Sequence, residues 1–157
     1  MSSPSLGREV VRPVEGELLA TRRRRLSEAD VAEFVALTGD RHPLHRHSPQ
    51  AQRSPWGEPI APGMLVLSFS IGLVELDLER VVALHALREA VFVKPARFGT
   101  TIAVEARVAY VRPFRPGIRL LGLRWLIRDQ AGSVLVRARV ELLWDEGSAP
   151  AGGDEQR

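Results

Sequence analysis

Residues 61–76, APGMLVLSFSIGLVEL, are apolar on every helical face apart from two serines, Ser68 and Ser70. A helix of that character has to be buried all round. At about 1.5 Å per residue it would run roughly 24 Å, the width of a small domain, so the rest of the chain must be arranged around it. Downstream the hydrophobic period changes from 3.6 to 2. EAVFVKP is a short strand, TTIAVEARVAYVR places Ile102, Val104, Ala106, Val108 and Tyr110 on one face, and IRLLGLRWLIR and SVLVRARVELLW follow after PFRPG and DQAG turns. In the last strand Val134, Val136, Ala138, Val140, Leu142 and Trp144 oppose Arg137, Arg139 and Glu141. Strands joined by short turns form an antiparallel sheet with one wet face. Such a sheet and one all-apolar helix have one economical arrangement, the sheet curled around the helix, which belongs to the α+β class.

Upstream, Ser27 is placed to cap a helix. Glu28 and Asp30 sit where the helix dipole favours negative charge, Val31, Phe34, Val35 and Thr38 follow helical spacing, and Gly39 is placed to end it in the left-handed conformation. Asp40 therefore begins a loop at a rigid helix end. Between residues 40 and 62 stand Pro43, Pro49, Pro55, Gly57, Pro59 and Pro62, so no regular element runs far. Loops this long inside a compact domain are usually functional or disordered, and Leu44, Trp56 and Ile60 argue that this one packs down.

The chain of 157 residues is long enough for one domain, expected over 1–145, with a tail 146–157, EGSAPAGGDEQR, that has little to bury and is expected to be disordered. No cysteine is present, which excludes disulfides and thiolate metal sites and suits a reducing cytoplasm. The N-terminus lacks the basic and apolar regions of a signal peptide, and the uncharged run over 61–74 is too short to span a bilayer. The net charge of +3 comes almost wholly from arginine, Lys94 being the one lysine. The arginine block at 22–25 has no aromatic residues interleaved for base stacking, so it reads as a solvated strand edge. Neither a nucleic-acid nor a membrane partner is expected. Scattered arginine is compatible with holding a phosphorylated small molecule.

The segment TGDRHPLHRHSP carries the chemistry-bearing residues. Asp40 and His45 are five apart with Pro43 stiffening the stretch between them, and a carboxylate beside an imidazole is the minimum apparatus for acid-base work near neutral pH. Asp40 capping a turn and His45 satisfied by a backbone carbonyl is the plain structural alternative. Eighteen residues after His45, Gly63 opens the apolar helix, where free N–H groups and the positive dipole end can polarise a carbonyl. His42, His45 and His47 do not make a metal site, since Pro43 intervenes and no carboxylate cluster supports them. Ser68 and Ser70 suit hydrogen bonds to carbonyls one turn back rather than nucleophilic roles. His47 is expected to be solvated, His85 has no evident partner, and Trp56, Trp125 and Trp144 are most simply packing residues.

FVALTGDRHPLH, EPIAPGMLVLSFSIGL and VFVKPARFGTTIAVEARV, in that order, resemble the hydratase signature, central helix and following strands of the MaoC-like (R)-specific enoyl-CoA hydratases and dehydratases, over about residues 6–144. The resemblance implies a hot-dog fold, a homodimer joined sheet edge to edge, and no metal or cofactor. It implies that Asp40 and His45 are the catalytic pair and that the Gly63 N–H binds the thioester carbonyl. The family pattern is D-x-N-P-x-H followed by H-G. His42 stands where asparagine is usual and Pro62 where histidine is frequent, so an orienting or substrate-binding role at His42 is implied less directly. The implied substrate is a trans-2-enoyl or 3-hydroxyacyl thioester of coenzyme A or an acyl carrier protein. A non-catalytic acyl-thioester-binding subunit and a thioesterase on the same fold are the alternatives.

Overall fold

Ser27 and Asp30 cap each other's backbone N–H groups, at 3.0 and 2.9 Å, and from this box the helix α1 runs over Glu28–Thr38. Burial works against ionising the Asp30 carboxyl, but the bonds it accepts from the Ser27 N–H and the Arg24 guanidinium outweigh it and hold it below the usual carboxylate range. Gly39 ends α1 in the left-handed region, φ 77°, which glycine enters without steric cost. The computed structural model describes residues 12–147. Around α1 it places the strand β1 (Arg23–Arg25), a single 3-10 turn (Pro43–His45), the short helix α2 (Pro49–Arg53) and the helix α3 (Gly63–Ile71). Four long strands follow, β2 (Val81–Phe92), β3 (Thr101–Arg115), β4 (Ile118–Arg128) and β5 (Val134–Asp145). They form one antiparallel sheet in the order β1-β3-β4-β5-β2.

The inner face of this sheet is the core. Ile102, Val104, Ala106 and Val108 of β3 lie beside Leu123, Trp125 and Ile127 of β4, which lie beside Val136, Ala138 and Val140 of β5, and all are buried. Helix α3 packs on this face through Leu65, Val66, Leu67 and Ser70. Trp125 Nε1 donates to Ser70 Oγ at 2.9 Å and Ser70 Oγ donates to the Leu67 carbonyl at 2.6 Å, so this buried serine spends its hydroxyl on its own turn and on the sheet. A sheet wrapped on a central helix is the hot-dog arrangement, the α+β class expected. The arginine block lies where expected, with β1 an exposed edge strand.

Four details depart from the expectation. Helix α3 has nine residues and stops at Gly72, because the backbone beyond it is engaged elsewhere: Val74 bridges Thr21, and the Glu75 N–H donates to the Ala20 carbonyl at 2.8 Å. It is not covered all round, since Met64 is 54% and Ile71 37% exposed. Of the strand expected at 89–95, residues 89–92 are the end of the twelve-residue β2 and 93–95 lie beyond it; three register shifts erase the alternation that would have marked the whole of β2. Tyr110 does not share the inner face. A bulge between Val108 and Tyr110 turns its side chain outward, where its hydroxyl donates to Glu141 Oε1 at 2.5 Å. Glu141, expected on the wet face, is 4% exposed and also meets Arg88 Nε at 3.0 Å. The Tyr110 hydrogen bond holds the Glu141 carboxyl low against the burial that would raise it, and burial together with this neighbour pushes the Tyr110 hydroxyl up.

Of the expected tail, Glu146 and Gly147 are tied down, by the Gly117 carbonyl at 3.0 Å and the Asp145 carboxylate at 2.8 Å, and 148–157 lie outside the described residues. Among the described residues no helix is long and apolar enough to cross a membrane.

Candidate active site

The end of α1 fixes the first side chain. Thr38 Oγ1 donates to the Phe34 carbonyl at 2.7 Å and accepts the Asp40 N–H at 3.3 Å, so the chain leaves the helix in a set direction. Asp40 Oδ1 then accepts the His42 N–H at 3.4 Å, and His42 Nδ1 accepts the Leu44 N–H at 3.2 Å. With Pro43 in first position, His42 thus caps the 3-10 turn that presents His45. An asparagine oxygen would fill the same acceptor role, so histidine at 42 keeps the cap through its ring nitrogen.

His45 is oriented from the far end of the loop. Its Nδ1 lies 2.9 Å from the Ile60 carbonyl, and the Ile60 N–H donates to the Leu44 carbonyl at 2.9 Å. A carbonyl only accepts, so Nδ1 carries the proton in this bond. Nε2, with a lone pair in the neutral ring and a proton in the imidazolium, faces Asp40 Oδ2 at 3.6 Å. The His45 side chain is 14% exposed and that of Asp40 50%. The pair is beyond direct hydrogen-bond distance, and both atoms reach one small oxygen group set against them.

Gly63 is the first residue of α3 and Pro62 its cap, without a side-chain bond. The N–H groups of Leu65 and Val66 turn to the Pro62 carbonyl at 3.1 and 3.3 Å, and among the described residues no acceptor takes that of Gly63. The Ala61 N–H donates to the Ala96 carbonyl at 2.8 Å, anchoring the helix start to the β2–β3 connection. A Cβ at 63 would stand 2.7 Å from the Phe92 ring, so any side chain there would have to displace that ring or the backbone.

His45 and Gly63 line one apolar cavity of about 390 Å³, with Trp56, Ile60, Met64, Phe92, Lys94 and Val136 among its walls. His45 also lines a second hollow of about 330 Å³ on its other side, with His42, Arg41, Arg46, Val35 and Phe98. The structure thus brings His45 and Gly63 to one chamber and sets Asp40 against the His45 ring. Asp40 is not itself a wall of that chamber, and His42 borders the second hollow. His47 is exposed and meets Glu28 at 3.4 Å, and the His85 ring packs edge-on against Phe114.

Sequence reasoning missed the Ile60 carbonyl that sets the tautomer, the Phe92 ring over Gly63 and Lys94 on the cavity wall, and it took Trp56 as packing alone. The apolar residues inside a proline-rich loop were the available sign for Trp56 and Ile60. Phe92 and Lys94 carried none, because a strand's register with a helix terminus is a tertiary fact.

The sequence over residues 9–119 matches the MaoC like domain. The chain is 30% identical over 119 residues to the (R)-specific enoyl-CoA hydratase of Aeromonas caviae, covering 76% of this chain and 88% of that protein. It is 31% identical over 98 residues to the 3-hydroxybutyryl-CoA dehydratase of Methylorubrum extorquens, 62% of each. It spans 27% of protein MaoC of Klebsiella aerogenes, at 34% identity over 90 residues. The solved structure of the (R)-hydratase from A. caviae superposes with a TM-score of 0.69 at 26% identity, over 88% of this chain and 98% of that one. With Asp40, the 3-10 turn, His45 and Gly63 standing in the order of the signature read from the sequence, the chain belongs to the MaoC-like family.

Proposed function

We propose that the protein hydrates trans-2-enoyl thioesters to (R)-3-hydroxyacyl thioesters and catalyses the reverse dehydration. The observation that carries this reading is the setting of His45: Nδ1 pinned by the Ile60 carbonyl, Nε2 turned to Asp40 Oδ2 at 3.6 Å, and the ring on the wall of the cavity that holds Gly63.

In the hydration direction the pair begins as carboxylate and imidazolium. Asp40 takes a proton from water as its oxygen bonds to the β-carbon. The π electrons move toward the thioester oxygen, which the Gly63 N–H receives at the positive end of α3, and His45 Nε2 delivers its proton to the α-carbon. The pair ends as carboxylic acid and neutral imidazole, and one proton crossing the gap between them restores it. Because Nδ1 is committed to Ile60, the exchanged proton is always the one on Nε2. Both groups approach the double bond from one side, so hydroxyl and hydrogen add to the same face. The likeness to the (R)-specific hydratase supports the (R) product.

Loss of the conjugated-enoyl absorbance of crotonyl-CoA with purified protein is the direct test. Asp40→Asn and His45→Ala each lower turnover about a hundredfold to ten-thousandfold while the thermal unfolding curve stays in place. A thermal shift with crotonyl-CoA but no turnover would leave a binding subunit instead, and release of free thiol would indicate a thioesterase.

The acting form is a homodimer paired through β2. This strand is a sheet edge, and Leu84 and Leu87, opposite Leu142 and Val140 on the inner side, are still 57% and 39% exposed. A long apolar edge calls for a partner strand. Leu87→Arg is expected to shift the sedimenting species from dimer to monomer, and a wild-type protein sedimenting as a monomer would refute the pairing.

A further inference from the structure

The outer face of the sheet holds charge that the reaction does not use. Arg107, Arg124, Arg139 and Arg88 stand opposite one another in register across β3, β4, β5 and β2, one arginine on each of four adjacent strands. Neighbouring strands lie about 4.8 Å apart, and like charges directly opposite destabilise a sheet. The chain relieves this only in part. Arg88 meets the buried Glu141 at 3.0 Å, Arg139 meets the exposed Glu89 at 3.8 Å, and Arg107 donates to the Gly16 carbonyl at 2.9 Å. Arg124, and Arg137 two residues before Arg139 on β5, have no carboxylate within salt-bridge distance among the described residues.

Arg124, Arg137 and Arg139, with the Glu89 carboxylate beside Arg139, wall a groove of about 540 Å³ over Val91, Ala109 and Leu126, in the range of small-molecule sites. Guanidinium forks suit phosphate, and adjacent strands set them at a spacing that grips neighbouring phosphate groups, while the apolar floor suits a ring. Among the described residues no aromatic side chain lines the groove, so it lacks the stacking platform of a single-stranded nucleic-acid surface. We propose that this groove is a second binding site, for a nucleotide bearing clustered phosphates.

Two sources share that chemistry: the nucleotide end of coenzyme A, and a free nucleotide. The groove backs directly onto the cavity of His45 and Gly63. Phe92 and Val136, paired across β2 and β5, line the cavity, and Val91 and Arg137, their neighbours along the strands and also paired, line the groove. The site does not rest on the hydratase reading; only its assignment to coenzyme A does.

The test is calorimetric titration of the full chain with 3′,5′-ADP and with inorganic pyrophosphate, at low and at physiological salt. Both bind the wild type, more weakly as salt rises, and Arg124→Ala with Arg137→Ala weakens 3′,5′-ADP at least about tenfold. Arg124→Lys keeps the charge, loses the fork and falls between. Asp40→Asn binds as the wild type does, which separates this site from the catalytic pair. If the double variant raises KM for crotonyl-CoA about tenfold without moving that for crotonyl-pantetheine, the nucleotide belongs to coenzyme A. If both KM values stay put while 3′,5′-ADP binding is lost, the ligand is a free nucleotide. No binding of either probe at millimolar concentration, or equal binding by the double variant, overturns the site whether or not the protein turns over an enoyl thioester.

Discussion

On the inner side of β3, Ile102, Val104, Ala106 and Val108 vanish into the core, whereas Glu105 and Arg107, one residue along, and Tyr110 beyond the bulge, project from the other side of the same strand. The inner face is held by burial and tolerates one polar network, Trp125 with Ser70. The outer face is held by charge placement: a buried carboxylate between Tyr110 and Arg88, and an arginine row that its own chain leaves half compensated. One strand alternation therefore makes two surfaces with independent duties. The inner one positions α3 and hence Gly63, and the outer one is free to meet solvent or a charged ligand.

That independence can be broken or sharpened by substitution. After the Asp40 and His45 changes, the largest effect expected is at Gly63. Gly63→Ala drives a methyl into the Phe92 ring, displaces the N–H proposed to receive the thioester oxygen and lowers turnover about a hundredfold, since catalytic displacements near 1 Å cost on that order. Adding Phe92→Leu makes room and recovers most of the loss; steady-state kinetics of the two single variants and the pair decide it, and no recovery would show that the ring is not what excludes a side chain there.

On the other face, Tyr110→Phe removes the donor to Glu141 and lowers stability by about 2 kcal/mol at neutral pH, with turnover unchanged. The sign of its pH dependence follows from Glu141. A carboxyl held below its ordinary value contributes stability above that value and loses it as pH falls through the lowered one, so the gap between wild type and variant in urea melts narrows in acid. A gap that widened in acid would mean that the Tyr110 bond does not stabilise the ionised form.

The smallest effect expected is a gain. Arg124→Thr takes one charge out of the in-register row and raises stability by a few tenths of a kcal/mol at low salt, the gain shrinking as salt is added. Thermal melts at two ionic strengths check it, and a loss at low salt would show that the row is not repulsive.

By itself the sequence determined the elements whose signal is local. Ser27, Asp30 and Gly39 bound a helix through bonds within a few residues of chain, and period-2 alternation marked β3, β4 and β5, so the α+β class and the sheet's apolar face were legible. The proximity of Asp40 and His45 was legible for the same reason, through Pro43 and a single turn. Tertiary structure decided whatever depends on a distant partner. The bridge of Val74 to Thr21 and the Glu75–Ala20 hydrogen bond cut α3 to nine residues, three bulges hid the length of β2, and one more bulge moved Tyr110 across the sheet. The Ile60 carbonyl chose which nitrogen of His45 meets the carboxylate, and the Phe92 ring closed the space beside the Gly63 backbone. Hydrogen bonds and contacts between residues far apart in the chain leave no period behind them, and in this protein those are the interactions that orient His45 and the start of α3.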